Sequence, residues 1–248
     1  MVYEFGSGIL WGIPSITLAG VAITTPTPVP FGALQDVSVD ISGSVKELFG
    51  QYQYPLAVAR GTAKITGKAK SAQFQASLFN LVFGETPATG ENKVINQESG
   101  TITGNSVTVA NNGTFLTDLG VSYSLTGLKL TRGATASAQG IYSVSNGVYT
   151  FNSADNNTAV KISYIYTGAA APGQIITINN QLLGNQPFFQ LVMNQQFAGK
   201  NFTLTLFQCI ASKLTMATKL EDWAIPEFDF AAMANSANQI GTISVAES

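Results

Sequence analysis

Two strictly alternating runs sit close together in the first third of the chain. In residues 34–42, Val37, Val39 and Ile41 point one way, and Asp36, Ser38, Asp40 and Ser42 point the other. A period of two marks a strand with one wet face and one buried face. In residues 60–70, Thr62, Lys64, Thr66, Lys68 and Lys70 share one face, and Ala63, Ile65, Gly67 and Ala69 share the other. Residues 45–56 between them read as an irregular link. A chain that commits this much sequence to long alternating strands must build a sheet and bury one side of it.

The rest of the sequence follows the same pattern. Residues 202–210 alternate, with Phe202, Leu204, Leu206, Gln208 and Ile210 on one face and Thr203, Thr205, Phe207 and Cys209 on the other. Residues 241–245 form a closing strand. Residues 141–151 read as a hairpin turned at Asn146-Gly147, because that pair tolerates positive φ at both central positions of a type I′ turn. Val160, Ile162, Tyr164 and Tyr166 alternate after it. One segment departs from the pattern. Phe74, Leu78, Leu81 and Val82 recur at helical spacing, Ser71 suits the N-cap and Gly84 the C-terminal cap, which predicts one short α-helix at about 71–83. The expected class is all-β, a mainly antiparallel sandwich or barrel with that single helix.

Domain organisation is read from shifts in composition. Residues 1–33 are apolar and Gly-rich and read as an extended, reaching arm that ends at 24–30 in a proline-rich link without ladder hydrogen bonds. Pro14, Gly12 and Gly20 break its apolar run, and no Lys or Arg precedes it, so neither a signal peptide nor a membrane span is expected there. Residues 34–85 and 174–248 form the core. Residues 86–173 are dense in turn signals and read as an inserted β-rich module, left through a linker at 169–173. A length of 248 residues suits such a plan.

Charge and composition narrow the function. Only 10% of residues are charged, against roughly 25% in ordinary globular chains. A surface so thin in charge protects poorly against association, which points to burial between subunits. The net charge of −2 gives no basic excess for gripping nucleic-acid phosphates. With no histidine and one cysteine, Cys209, there is no His-based catalytic triad, no internal disulfide and no zinc site of the His/Cys kind. Cys209 reads as a buried structural thiol. Glu221, Asp222, Glu227 and Asp229 supply four of the fourteen acids within nine residues. Without a calcium-loop pattern or a convergent pocket, they read as a solvated loop or a face that attracts lysines. Tyr164 and Tyr166 share a strand face that suits sheet packing better than ligand stacking. No catalytic residue, cofactor or metal site is expected.

Arg60, Lys64, Lys68 and Lys70 gather a third of the twelve basic residues in one strand. Either they guard a sheet edge against unwanted pairing, or they meet acids of a neighbouring copy. The second reading makes Val37, Val39, Ile41, Lys64, Lys68, Lys70, Glu221, Asp222, Glu227 and Asp229 the candidate inter-subunit residues.

In wording and order, residues 34–84 resemble the major tail tube proteins of long-tailed bacteriophages. The marks are Asp36-Val37-Ser38-Val39, Lys46-Glu47-Leu48-Phe49-Gly50, Tyr54-Pro55 and the strand from Arg60 to Lys70. Residues 109–168 are similar to a strand-rich segment that recurs in phage structural proteins, through Gly140-Ile141-Tyr142-Ser143-Val144, Gly147-Val148-Tyr149-Thr150-Phe151, Ala154-Asp155 and Val160-Lys161-Ile162-Ser163-Tyr164. The resemblance implies a tail-tube-like β core and a virion protein, assembled in the host cytoplasm. It also implies six-fold rings stacked into a hollow tube, contact with other tail proteins, and DNA passing through the lumen without sequence-specific binding. The alternative from another class is a capsid decoration protein or a glycan-binding Ig-like adhesin module.

Overall fold

The computed structural model describes residues 6, 8–73, 75–85, 87–168, 173–218, 220–221 and 223–246. It is an all-β fold with one short α-helix, and the chain divides into two compact units. Residues 1–87 and 176–248 form one, and residues 88–175 form the other.

The first unit begins with β1 (Ile9–Ile16), β2 (Val29–Pro30), β3 (Leu34–Phe49), β4 (Pro55–Ser71) and α1 (Ala76–Phe83). The chain then builds the second unit from β5 (Ala88–Thr89), β6 (Asn92–Thr101), β7 (Ser106–Thr108), β8 (Phe115–Tyr123), β9 (Thr131–Arg132), β10 (Ile141–Ser145), β11 (Val148–Phe151), β12 (Ala159–Thr167) and β13 (Gln174–Ile175). It returns to the first unit with β14 (Phe188–Phe197), β15 (Lys200–Thr215), β16 (Glu227–Ala232) and β17 (Gly241–Val245).

One sheet organises the first unit, in the order β2-β1-β14-β15-β16-β4-β3, with β17 also paired to β15. Residues 9–16 are therefore a sheet strand and not a reaching arm. β1 pairs antiparallel with β14 from Ile9↔Asn194 to Ile16↔Phe188, and its register breaks at Pro14, which has no N–H to give a ladder. Leu10 is buried on the core side. The core gathers Leu10, Phe31, Leu191, Leu204, Leu206, Phe228 and Phe230 with Leu78 and Leu81 of the helix.

The helix is shorter than its periodicity predicts. It starts at Ala76 behind Gln75, with no side-chain cap. Ser71 is the last residue of β4, where its hydroxyl donates to the carbonyl of Gly32, so it cannot act as the cap. Phe74 lies outside the described residues. The other end is as expected: Gly84 takes φ 66° and its N–H donates to the carbonyl of Asn80.

In β15 a bulge corrects the simple alternation. Leu191 pairs with Leu206 but Phe189 pairs with Cys209, so one extra residue sits in β15 between them. The inward face switches there, and Cys209 joins Leu204 and Leu206 in the core. Burial pushes its thiol up to about 12.

The second unit is a sandwich. A four-stranded sheet, β7-β11-β10-β9, and a three-stranded sheet, β6-β12-β8, contribute to a single core. Tyr142, Tyr149 and Phe151 come from the first, and Val121, Val160, Ile162 and Tyr164 from the second. The hairpin at 141–151 turns at Asn146 (φ 47°) and Gly147 (φ 74°), with Ser145 opposite Val148. β5 and β13 pair with each other where the chain enters and leaves the unit. Of the expected linker at 169–173, residues 169–172 lie outside the described residues.

The sandwich buries carboxylates and lets tyrosines satisfy them. Asp118, with a side chain only 4% exposed, accepts the hydroxyls of Tyr142 at 2.7 Å and Tyr149 at 2.9 Å. Asp155, fully buried, accepts the Tyr123 hydroxyl at 2.6 Å and the Gly140 N–H at 3.0 Å. Glu98 accepts the Tyr164 hydroxyl. Burial first, and then the neighbouring carboxylate, raises all four phenols, Tyr123 to about 12 from an ordinary 10.0. The folded unit therefore holds these protons more tightly than the unfolded chain does. That stabilisation is complete below pH 10 and is lost as pH rises through the folded values. Alkaline titration is expected to unfold the second unit before the first, with Tyr123, Tyr142, Tyr149 and Tyr164 ionising in step with the loss of its sheet signal. Ionisation of these four tyrosines with the sheet signal intact would contradict this.

Candidate assembly surface

β3 and β4 outrun the core they start from. Near Leu34 they pack: Val37, Val39 and Ile65 lie against the core, and Ala69 is part of it. Beyond Ile41 the same two strands stay paired, from Gly43↔Ala63 to Phe49↔Pro55, with bulges after Gly43 and Leu48. The expected irregular link is thus mostly strand, and only residues 50–54 turn. Seven residues of β3 beyond Ser42, at roughly 3.3 Å each, carry the hairpin some 20 Å past the packed part of the sheet.

Its side chains are not those of a solvated finger. Val45, Leu48, Phe49, Leu56 and Val58 are exposed, Tyr52 is 72% exposed and Tyr54 80%. A two-stranded hairpin is marginal in water unless one face is covered. A ribbon with this many bare apolar residues has the composition of a contact surface. Sequence reading missed it because attention to the two clean alternations left the middle as a link. The signal was present in Leu48-Phe49, Tyr52, Tyr54, Leu56 and Val58, apolar residues too numerous for a turn.

Among the described residues β3 pairs with β4 alone and β17 with β15 alone, so each leaves a backbone edge open in the same sheet. All five residues of β17 are exposed. Between these edges runs a groove of about 470 Å³ of mixed polarity, lined by Val37, Val39 and Ile41 from β3, Met193, Gln195, Phe202 and Leu204 from β14 and β15, Ile243 from β17, and Gly6. Three of the candidate residues therefore share one concave surface. Unpaired edges beside exposed apolar side chains template pairing with another chain.

The opposite face of β3, β4 and β16 carries the charges. Cross-strand register sets them in rows: Asp36, Lys70 and Glu227 in one, and Ser38, Lys68, Asp229 and then Lys213 of β15 in the next. Lys68 lies 3.6 Å from Glu227, and Lys70 3.8 Å from Asp36. Lys68 and Lys70 thus meet acids of their own chain. Over residues 65–70 β4 is flanked by both β3 and β16, so the edge-guard reading fails for Lys68 and Lys70, while Arg60 and Lys64 lie where β4 pairs with β3 alone among the described residues. The reason is that Glu227 and Asp229 belong to β16, not to a loop, and β16 docks directly on β4. Such exposed pairs contribute about 1 kcal/mol or less each. Asp229 keeps one carboxylate oxygen buried without a hydrogen-bond partner. Lys64 stands opposite Ser42 with no ion pair among the described residues. Glu221 is exposed and outside any strand. Asp222 lies outside the described residues.

Among the described residues no group of His, Cys, Asp and Glu side chains is arranged to hold a metal ion, and no helix is long and apolar enough to cross a membrane. No protein-family model matches the chain. No curated protein matches it either.

Proposed function

We propose that this chain is a structural subunit that polymerises into stacked rings, forming the hollow tail tube of a long-tailed bacteriophage. The observation that carries the reading is the β3–β4 hairpin, which projects bare tyrosine, phenylalanine and leucine side chains from a sheet with open edges at β3 and β17. Lateral pairing of the edges closes a ring and removes the unpaired backbone groups. The hairpin then covers its apolar side chains on the next ring. The charged face of β3, β4 and β16 is balanced in sign, which suits a wall that DNA slides past without being held. Ring symmetry of six, other tail proteins at the ends, and a place in the virion follow from the same reading.

Electron microscopy of the concentrated purified protein tests it. Hollow tubes or rings are expected. A particle that stays monomeric at all concentrations and salt conditions would remove the proposal.

A further inference from the structure

The second unit carries a groove with a chemistry of its own, independent of assembly. It lies on the face of the β6-β12-β8 sheet turned away from the core and encloses about 370 Å³. Register places its polar residues in rows. Lys161 stands between Ser99 on β6 and Ser122 on β8, and Ser122 is bridged in turn to Lys129. Two lysines therefore occupy one cross-strand row, two strand spacings or about 10 Å apart along the sheet. The neighbouring row offers Ser163, whose hydroxyl accepts the Gln97 N–H at 3.1 Å and approaches the Asn96 amide oxygen at 3.3 Å. Val94 and Leu119 flank the groove and are exposed.

The charge pattern is one-sided. The unit's acids are turned elsewhere: Asp118, Asp155 and Glu98 accept tyrosine hydroxyls, and Glu91 pairs with Lys93 at 3.1 Å. No acid lines the groove, and neither Lys129 nor Lys161 has an ion pair among the described residues. Lys161 donates only to the Ser99 hydroxyl, at 2.6 Å. The unit's large aromatic side chains, Tyr142, Tyr149, Phe151 and Tyr164, are spent in the core. The groove therefore has cations and amide or hydroxyl groups but no stacking platform.

We infer that this groove binds an extended hydroxylated polyanion, its lysines taking two carboxylate or phosphodiester groups of the chain while Ser122, Ser163, Asn96 and Gln97 meet the hydroxyls. A neutral glycan lacks the charge and finds no aromatic ring to stack on. The chain as a whole has a net charge of −2, so its bulk field repels polyanions and binding must be local.

The test uses the full-length protein and titration calorimetry against polygalacturonate, a poly(glycerol phosphate) chain and neutral dextran, at low and at physiological salt. Binding is expected to one or both polyanions and not to dextran, weakening as salt rises. Which polyanion binds separates a carboxylate source from a phosphodiester source. The pair Lys129→Gln and Lys161→Gln is expected to cost about tenfold in affinity with an unchanged melting temperature, since two screened contacts are worth roughly 1.4 kcal/mol together. Lys200→Gln with Lys213→Gln, on the other unit, is expected to change nothing. Silence with both polyanions at low salt, dextran bound as tightly, or an equal loss in the two lysine pairs would each overturn the inference.

Discussion

Replacing Tyr52, Tyr54 and Leu56 together by serine is expected to abolish tube formation while leaving the monomer's melting temperature within a degree or two. These side chains are 72%, 80% and 67% exposed in the single chain, so the fold loses almost nothing with them. In a stacked assembly each would be covered by the next ring. Burial of a large apolar side chain contributes about 1.5–3 kcal/mol. Three losses per subunit therefore raise the concentration needed for assembly at least about a hundredfold. Sedimentation velocity across a concentration series measures the shift, and negative-stain images show whether single rings survive. Surviving single rings would separate the hairpin's role between rings from that of the edges within one. Assembly of the triple variant at the wild-type concentration would mean that the hairpin covers itself by some other route.

The second large effect is expected inside the sandwich. Asp118→Ala removes the acceptor of two tyrosine hydroxyls, at 2.7 and 2.9 Å, in a site that water scarcely reaches. Each orphaned buried hydroxyl costs about 1–3 kcal/mol, so the loss is roughly 3–5 kcal/mol. For a unit of this size that lowers its melting temperature by about 15 °C or more. Calorimetry should resolve this as a separated transition, with the first unit's transition unmoved. The triple change Asp118→Leu, Tyr142→Phe and Tyr149→Phe removes both donors with their acceptor, and most of the stability is expected to return. A single variant as stable as the wild type would mean that solvent accepts the two hydroxyls in place of the carboxylate.

How much of this was legible in the residues differs by element. The hairpin at 141–151 was, because Asn146-Gly147 fixes a two-residue turn and the turn fixes the register on both sides. The strand at 241–245 was, and so was the inward face of β3, because short alternations carry their own phase. Cys209 was placed on the wrong face by the same logic. One bulge in β15 resets the phase, and a bulge leaves no mark in the alternation. The lysine–acid rows were hidden for a different reason. They depend on β16 docking beside β4 across more than 150 residues of sequence, a pairing no local pattern encodes. Residues 9–16 looked like an arm because Gly12 and Pro14 are poor strand formers. Partners on both sides, β2 and β14, override that preference. The assembly surface was half visible: Val37, Val39 and Ile41 stood out by periodicity, while the groove they line needs β17 and β14 brought opposite.

The paired strands β5 and β13 set the two ends of the second unit side by side, one strand spacing or about 5 Å apart. Any independently folded cargo whose own termini lie that close could be spliced at the same point without stretching the host sheet. The site is thus a ready socket for display of one graft on each chain.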